Sequence, residues 1–262
     1  MIHQGASLRP SMAWAGAGLH DHQNHVDDYF QQLGQGVLKL LSEPTSLGIA
    51  YQVNLRMRPY SGQGPMVANV DVARQYYDTS GRTWERQALV KVRPNAGDQQ
   101  LGREFIADMQ PWIYRRYLMR ADITGLAALK RRLLRHASTT VEPNEAGDYL
   151  PSIVVAIDEL EVLVQFFQLL HGGEEKSLRV SNTLEAIQRL RATGCLSGDE
   201  ASTLQDCYRQ LRRWQHQWQI AAPLPPAERQ RCEQVLARTR KTVDLLMERS
   251  SVESFEGTVE SD

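Results

Sequence analysis

Two short alternating stretches place cations where an anion could be held. In residues 51–58 (YQVNLRMR), Tyr51, Val53, Leu55 and Met57 alternate with Gln52, Asn54, Arg56 and Arg58. Alternation with a period of two predicts a half-buried strand, with one amide and two guanidinium groups along its open face. In residues 88–93 (ALVKVR), Ala88, Val90 and Val92 point one way; Leu89, Lys91 and Arg93 point the other. If the two strands are neighbours, Arg56, Arg58, Lys91 and Arg93 converge on a rigid support, which suits the oxygens of a phosphate. A solvated sheet face fits the same pattern equally well. The run GRTWERQALVKVRP adds Trp84, Glu85 and Arg86 beside the second stretch. Glu85 can hold an arginine in a bidentate pair, with Trp84 as packing support, and leave another cation for ligand. The plainer reading is a structural ion pair next to a core tryptophan.

Charge supports an anion-binding middle without making the whole protein basic. The 262 residues carry a formal net charge of −1, which gives no general reason to expect nucleic-acid binding. From residue 51 to 135, however, 15 Lys/Arg face 7 Asp/Glu, while the tail after Arg249 has four acids and no base. Cys195, Cys207 and Cys232 are widely spaced and lack a CxxC pair. That usage predicts reduced thiols and a cytoplasmic protein. No apolar run has the length of a membrane span, and the N-terminus lacks the pattern of a secretory signal.

The elements that must position these residues read as follows. Residues 1–25 have no apolar period and predict an atypical or poorly ordered segment. From Val26, apolar Tyr29, Phe30, Leu33, Val37, Leu40 and Leu41 recur at helical spacing, and Pro44 stops the helix. A short helix ends at Gly81. Further helices follow from about residue 99, and residues 138–150 form a polar linker. Beyond the linker the chain reads as helical throughout. Leu160, Leu163, Val164, Phe167 and Leu170 lead to a stop at Gly172-Gly173; Ser197 and Glu200 have capping-box spacing; Pro226 opens the last helix. The expected organisation is a mixed α/β domain over residues 26–137, the linker, a helical bundle over residues 151–248 and an acidic tail over residues 249–262.

The motifs VNLRMRP, GQGP, YYDTSGRTWERQALVKVRPNAGD and WIYRRYL resemble the bifunctional adenylyltransferase/adenylyl-removing enzyme of glutamine synthetase, and more narrowly its adenylyl-removing half. The likeness continues through LKRRLLRHA, QFFQLLHGG, NTLEAIQRLRATGCLS and YRQLRRWQHQWQI, from about residue 27 to 220. It implies an α+β fold, an incomplete nucleotidyltransferase-like mixed sheet with helices, followed by an α-helical bundle. It also implies ATP or ADP and Mg²⁺ as cofactors, and glutamine synthetase and the signalling protein PII as partners. In the family's removing reaction, phosphate attacks adenylyl-tyrosine on glutamine synthetase, ADP forms and the tyrosine hydroxyl leaves; in the other half, ATP donates the adenylyl group. Carried onto this sequence, Arg56, Arg58, Arg86, Lys91 and Arg93 are the nucleotide- or phosphate-binding candidates.

Departures from the family pattern begin with its metal ligands. Asn54 stands where the motif strand carries an acid, and nothing upstream supplies a Gly-Ser element followed by Asp-x-Asp. Two Mg²⁺ ions need hard, charged oxygen ligands, and a neutral amide brings no charge. Near residue 157 the family's Gly-rich turn and Arg become Val155, Ala156 and Asp158; Glu159 replaces one acid and Glu161 keeps the later one. Gln215 stands where a Glu usually precedes His216. The expectation is a family member whose catalysis is impaired, with Asn54 and Glu161 at the remaining catalytic positions and no metal site. The alternative is a non-catalytic nucleotide-binding or protein-interaction module. His20, Asp21, His22 and His25 lie close in sequence, and such a stretch at a chain end is more often incidental than metal-binding. A truncated sheet would expose an edge able to pair with another chain, so the expectation is either an oligomer or an N-terminal segment that covers the edge.

Overall fold

This computed structural model describes residues 2–3, 18–46, 48–51, 53, 55, 58–62, 64–115, 149–220 and 226–256, and among them are eight α-helices, two short 3-10 helices and two strands of two residues. The helices are α1 (Gly18–Ser42), α2 (Val70–Ser80), α3 (Thr83–Leu89), α4 (Gln99–Ile113), α5 (Leu150–His171), α6 (Thr183–Ala192), α7 (Gly198–Ile220) and α8 (Pro226–Glu256). The strands β1 (Ile2–His3) and β2 (Ala68–Asn69) pair in parallel, Ile2 opposite Ala68 and His3 opposite Asn69. The chain divides into two compact units: Met1–Ala88 with Val92–Trp112, and Leu89–Lys91 with Ile113–Asp262.

The α+β expectation is overturned: the described residues are mostly helical and contain no mixed sheet. Among the described residues, neither alternating stretch forms a strand. In the first, Tyr51 is 67% exposed and Val53 37% exposed, so these two apolar positions do not face a core. The second is divided between the end of α3 and a turn at Val90–Lys91. An alternation of six residues also fits the close of a helix, and here the local capping decides. Both carboxylate oxygens of Glu85 are used: Oε2 accepts from the Arg82 backbone N–H at 2.8 Å and Oε1 from the Tyr76 hydroxyl at 2.7 Å. An acid that satisfies an orphan N–H in the first turn fixes TWERQAL as a helix. Without a sheet to cover it, α1 leaves Leu33 and Leu40 at 49% and 81% exposure. Among the described residues the only paired strands are β1 and β2, so the truncated mixed sheet whose edge was considered is not formed there.

The first unit is organised by aromatic rings. Tyr60 and Tyr76 have ring centroids 4.5 Å apart, Tyr76 and Tyr77 5.2 Å, and Tyr77 and Trp112 4.9 Å. Gln31 ties α1 to the segment before β2, its amide donating to Val67 O at 2.6 Å and accepting from Val67 N–H at 3.1 Å. Gly81 closes α2 where no side chain fits: a Cβ there would lie 2.3 Å from Trp112 Cζ2 and 2.7 Å from Tyr77 O. Because one of those atoms is backbone, relief requires main-chain movement. Gly81→Ala is therefore expected to cost about 1–3 kcal/mol, seen as a lower melting temperature; an unchanged melt would show that α2 and Trp112 separate freely.

In the second unit α5 is the central helix, packed by α6, α7 and α8. It buries Ile153, Ile157, Leu160, Leu163, Val164 and Phe167. Facing residues include Ile187 and Leu190 from α6, Leu204, Leu211 and Trp214 from α7, and Cys232 and Met247 from α8. The capping box before α7 is formed, with Ser197 N–H donating to Glu200 Oε2 at 2.8 Å and Glu200 N–H to Ser197 Oγ at 3.3 Å. Arg249 on α8 then reaches Glu200 Oε1 at 2.5 Å and Cys195 O at 3.1 Å, pinning that end of the bundle.

Candidate functional site

Within the second unit, Lys91 and Glu161 come together although they are far apart in sequence. Lys91 Nζ lies 3.5 Å from Glu161 Oε1 and donates to Thr183 Oγ1 at 2.5 Å. The same carboxylate oxygen receives the Tyr208 hydroxyl at 2.6 Å, Arg212 Nη2 at 2.6 Å and the Thr183 hydroxyl at 3.5 Å. Arg212 also donates from Nε to the Tyr208 oxygen at 3.2 Å and from Nη1 to Gln215 Oε1 at 2.8 Å, with its guanidinium 5.3 Å from the Tyr208 ring centre.

Each element contributes for a local reason. Tyr208 and Arg212 are four residues apart on α7 and so share a face. Thr183 is the first residue of α6, whose cap Asn182 accepts from Glu185 N–H at 3.1 Å. Glu161 is carried by α5, the central helix of this unit. The Lys91, Glu161 and Arg212 side chains are 30%, 18% and 34% exposed, so the cluster is only partly buried.

The electrostatics follow from this arrangement. Burial alone would raise the Glu161 carboxyl, but the Tyr208 hydroxyl, Lys91 and Arg212 outweigh it and hold the group below its ordinary range. Burial lowers Lys91, and Glu161 partly offsets that. Burial and the hydrogen bond to Glu161 raise Tyr208. Glu161 therefore stays ionised near neutral pH.

The other candidates are placed elsewhere. Glu85 and Arg86 are buried in the first unit at 2% and 4% exposure, and the Arg86 guanidinium sits 5.2 Å from the Trp112 ring centre. Trp84 and Arg58 are half-buried and Arg93 is exposed. Asn54, Arg56 and the side chains of His20, Asp21, His22 and His25 lie outside the described residues. Of the residues singled out from sequence, the structure brings together Lys91 and Glu161. Thr183, Tyr208 and Arg212 were missed; the i, i+4 spacing of Tyr208 and Arg212 was the available signal.

The cluster does not fit magnesium. A hard divalent cation needs several oxygen ligands, and among the described residues no group of three or more His, Cys, Asp or Glu side chains could hold a metal. Glu161 has one oxygen engaged by two cations and two hydroxyls.

Comparison with known proteins agrees with the resemblance in the motifs. Residues 13–108 match the family model for glutamate-ammonia ligase adenylyltransferase, and residues 156–225 match the model for GlnD PII-uridylyltransferase. The second match contains Glu161, Thr183, Tyr208 and Arg212. Three similar relatives are each a bifunctional glutamine synthetase adenylyltransferase/adenylyl-removing enzyme. The protein from Xanthomonas campestris pv. campestris (strain B100) is 36% identical over 199 residues, covering 74% of this chain and 20% of the relative. That from Pseudomonas aeruginosa PAO1 is 34% identical over 200 residues, covering 74% and 20%. That from Thioalkalivibrio sulfidiphilus is 32% identical over 210 residues, covering 79% and 21%. The chain belongs to the glutamine synthetase adenylyltransferase/adenylyl-removing family, as a relative spanning about a fifth of the length of the members it matches.

Proposed function

We propose that this chain is a nucleotidyltransferase-family domain of glutamine synthetase regulation whose own residues do not carry nucleotidyl transfer or phosphorolysis. The observation that carries this reading is the environment of Glu161: an acid fixed by Lys91, Arg212 and Tyr208 is a structural counter-ion. Metal-assisted transfer needs carboxylates free to clamp cations on the attacking and leaving oxygens. Asn54, at the position of a family acid, adds no charge. The retained role is binding. Lys91 is the anion contact, with Arg56, Arg58, Arg86 and Arg93 as further cationic candidates for nucleotide phosphates. Glutamine synthetase is the partner on which the relatives act by name, and PII is a second candidate partner in the same regulation. Three free cysteines support a cytoplasmic setting. Among the described residues no helix is long and apolar enough to cross a membrane.

The test is direct. Incubated with adenylylated glutamine synthetase, Mg²⁺ and phosphate, the chain is expected to release no ADP above a protein-free control. Phosphate-dependent ADP release that is lost in Lys91→Ala would refute the non-catalytic reading. Co-sedimentation with glutamine synthetase tests the binding role separately, and its absence would count against that role.

A further inference from the structure

We propose that Lys91, Thr183, Tyr208 and Arg212 form a phosphate-binding pocket that Glu161 occupies as an internal stand-in, so that Glu161 and a bound phosphate compete for the same donors. This deepens the anion-contact part of the reading above and rests on it. Four donor groups from the turn at Lys91, α6 and α7 converge on one oxygen, Glu161 Oε1, while Oε2 receives none of these bonds. Convergence of an ammonium, a guanidinium and two hydroxyls on a single oxyanion is the arrangement that binds a phosphate oxygen. The donors are also held before any ligand arrives: Thr183 is buried at the start of α6, and Arg212 is steered by Tyr208 and Gln215.

Charge sets the order of preference. Two cations face one carboxylate, so a single positive charge remains unneutralised with Glu161 in place. A phosphate carrying nearly two negative charges matches the pair when the carboxylate is absent, and is repelled when it is present. The side chains are partly exposed, so exchange needs a change of Glu161 rotamer and no opening of the bundle. The ligand class is a phosphate monoester or free phosphate; a nucleoside without phosphate has no group for these donors.

Calorimetric titration of the full chain at constant ionic strength tests this, with inorganic phosphate, ADP, AMP and adenosine as separate probes. Removing the carboxylate charge in Glu161→Gln is expected to tighten inorganic phosphate binding about tenfold or more over wild type. Glu161→Asp keeps the charge but draws it back from the donors, and is expected to bind with intermediate affinity. Adding Lys91→Met to Glu161→Gln is expected to abolish the gain. If circular dichroism shows Glu161→Gln to be unfolded, Glu161→Asp decides. Equal gains for phosphate and ADP identify the phosphate group alone as the ligand; a gain for ADP and AMP without one for free phosphate identifies a nucleotide. Folded variants binding every phosphate-bearing probe no more tightly than wild type would overturn the proposal, as would binding of adenosine equal to that of ADP. The readout uses neither glutamine synthetase nor turnover, so its failure is separable from detection of ADP release, which would overturn the non-catalytic reading instead.

Discussion

Trp214→Ala is expected to destabilise the second unit by about 3–5 kcal/mol, the range for truncating a fully buried large aromatic. Trp214 is 0% exposed and lies in a cluster with Tyr149, Ile153, Ile157, Leu211 and Cys232. Three helices, α5, α7 and α8, meet there. Burial at this point pushes the Cys232 thiol up to about 12, with Glu233 and Glu228 adding to the effect. Truncation removes the ring from the place least able to collapse, because Ile153, Leu211 and Cys232 are themselves fully enclosed. A polar loss adds to the apolar one: the indole Nε1–H donates to Glu228 Oε2 at 2.5 Å, joining α7 to the start of α8. Trp214→Phe keeps most of the volume and loses that bond, so it is expected to cost less than half as much. Urea unfolding followed by circular dichroism at the helix band should show the midpoint fall for the bundle transition with its slope retained. A change below about 1 kcal/mol for Trp214→Ala would mean that the three-helix junction repacks easily, contrary to its density here.

That cluster was only partly legible in the sequence, and the reasons are specific. Helix ends could be read because they are local chemistry. Ser197 and Glu200 sit three residues apart and cap each other; Gly172 ends α5 because a Cβ would meet Gln168 O at 2.4 Å and Tyr114 Cδ1 at 2.6 Å. The fold class was misread because residues 51–58 and 88–93 are too short for their period to discriminate. A period of two becomes a strand only when a neighbouring strand takes the backbone hydrogen bonds, and among the described residues none does. The choice at residues 83–89 was settled by Glu85, whose role as a cap was hidden behind its apparent role as a partner for arginine. The candidate site was half visible. Lys91 and Glu161 stand out as charged residues within family-like motifs, but their meeting depends on how the turn at Lys91 lies against α5. Tyr208 and Arg212 read as the polar side of an amphipathic helix, and nothing local reveals that this side faces Glu161.

Glu159 gives the second large effect, and its sign is opposite to that of its neighbour Glu161. Its side chain is 3% exposed on α5, and Oε1 has no hydrogen-bond partner. Burial pushes its carboxyl up to about 7; Arg240 on α8 pulls it down, and Asp244 on α8 and Asp158 on α5 push it up further. The folded state thus holds a proton that the unfolded chain, with an ordinary value of 4.5, releases earlier. Between those values the unfolded state binds fewer protons, so stability falls as pH rises. From pH 5 to pH 8 the expected loss from this group is about 2–3 kcal/mol. Asp244, raised by burial and by Glu248 against the pull of Arg240, adds to the slope in the same direction. Glu161, lowered in the folded state, contributes stability that is lost only as pH falls below its ordinary 4.5, so it does not mask the trend. Glu159→Gln removes the titration and is expected to leave only the weaker slope of Asp244; Glu159→Leu, which also removes the orphaned oxygen, is expected to be more stable than wild type at pH 8 by about 1–3 kcal/mol. Urea midpoints for the three proteins at pH 5, 6.5 and 8 check both claims. A wild-type midpoint that rises over this range, or one that falls with an equal slope in Glu159→Gln, would show that Glu159 ionises freely in the folded bundle.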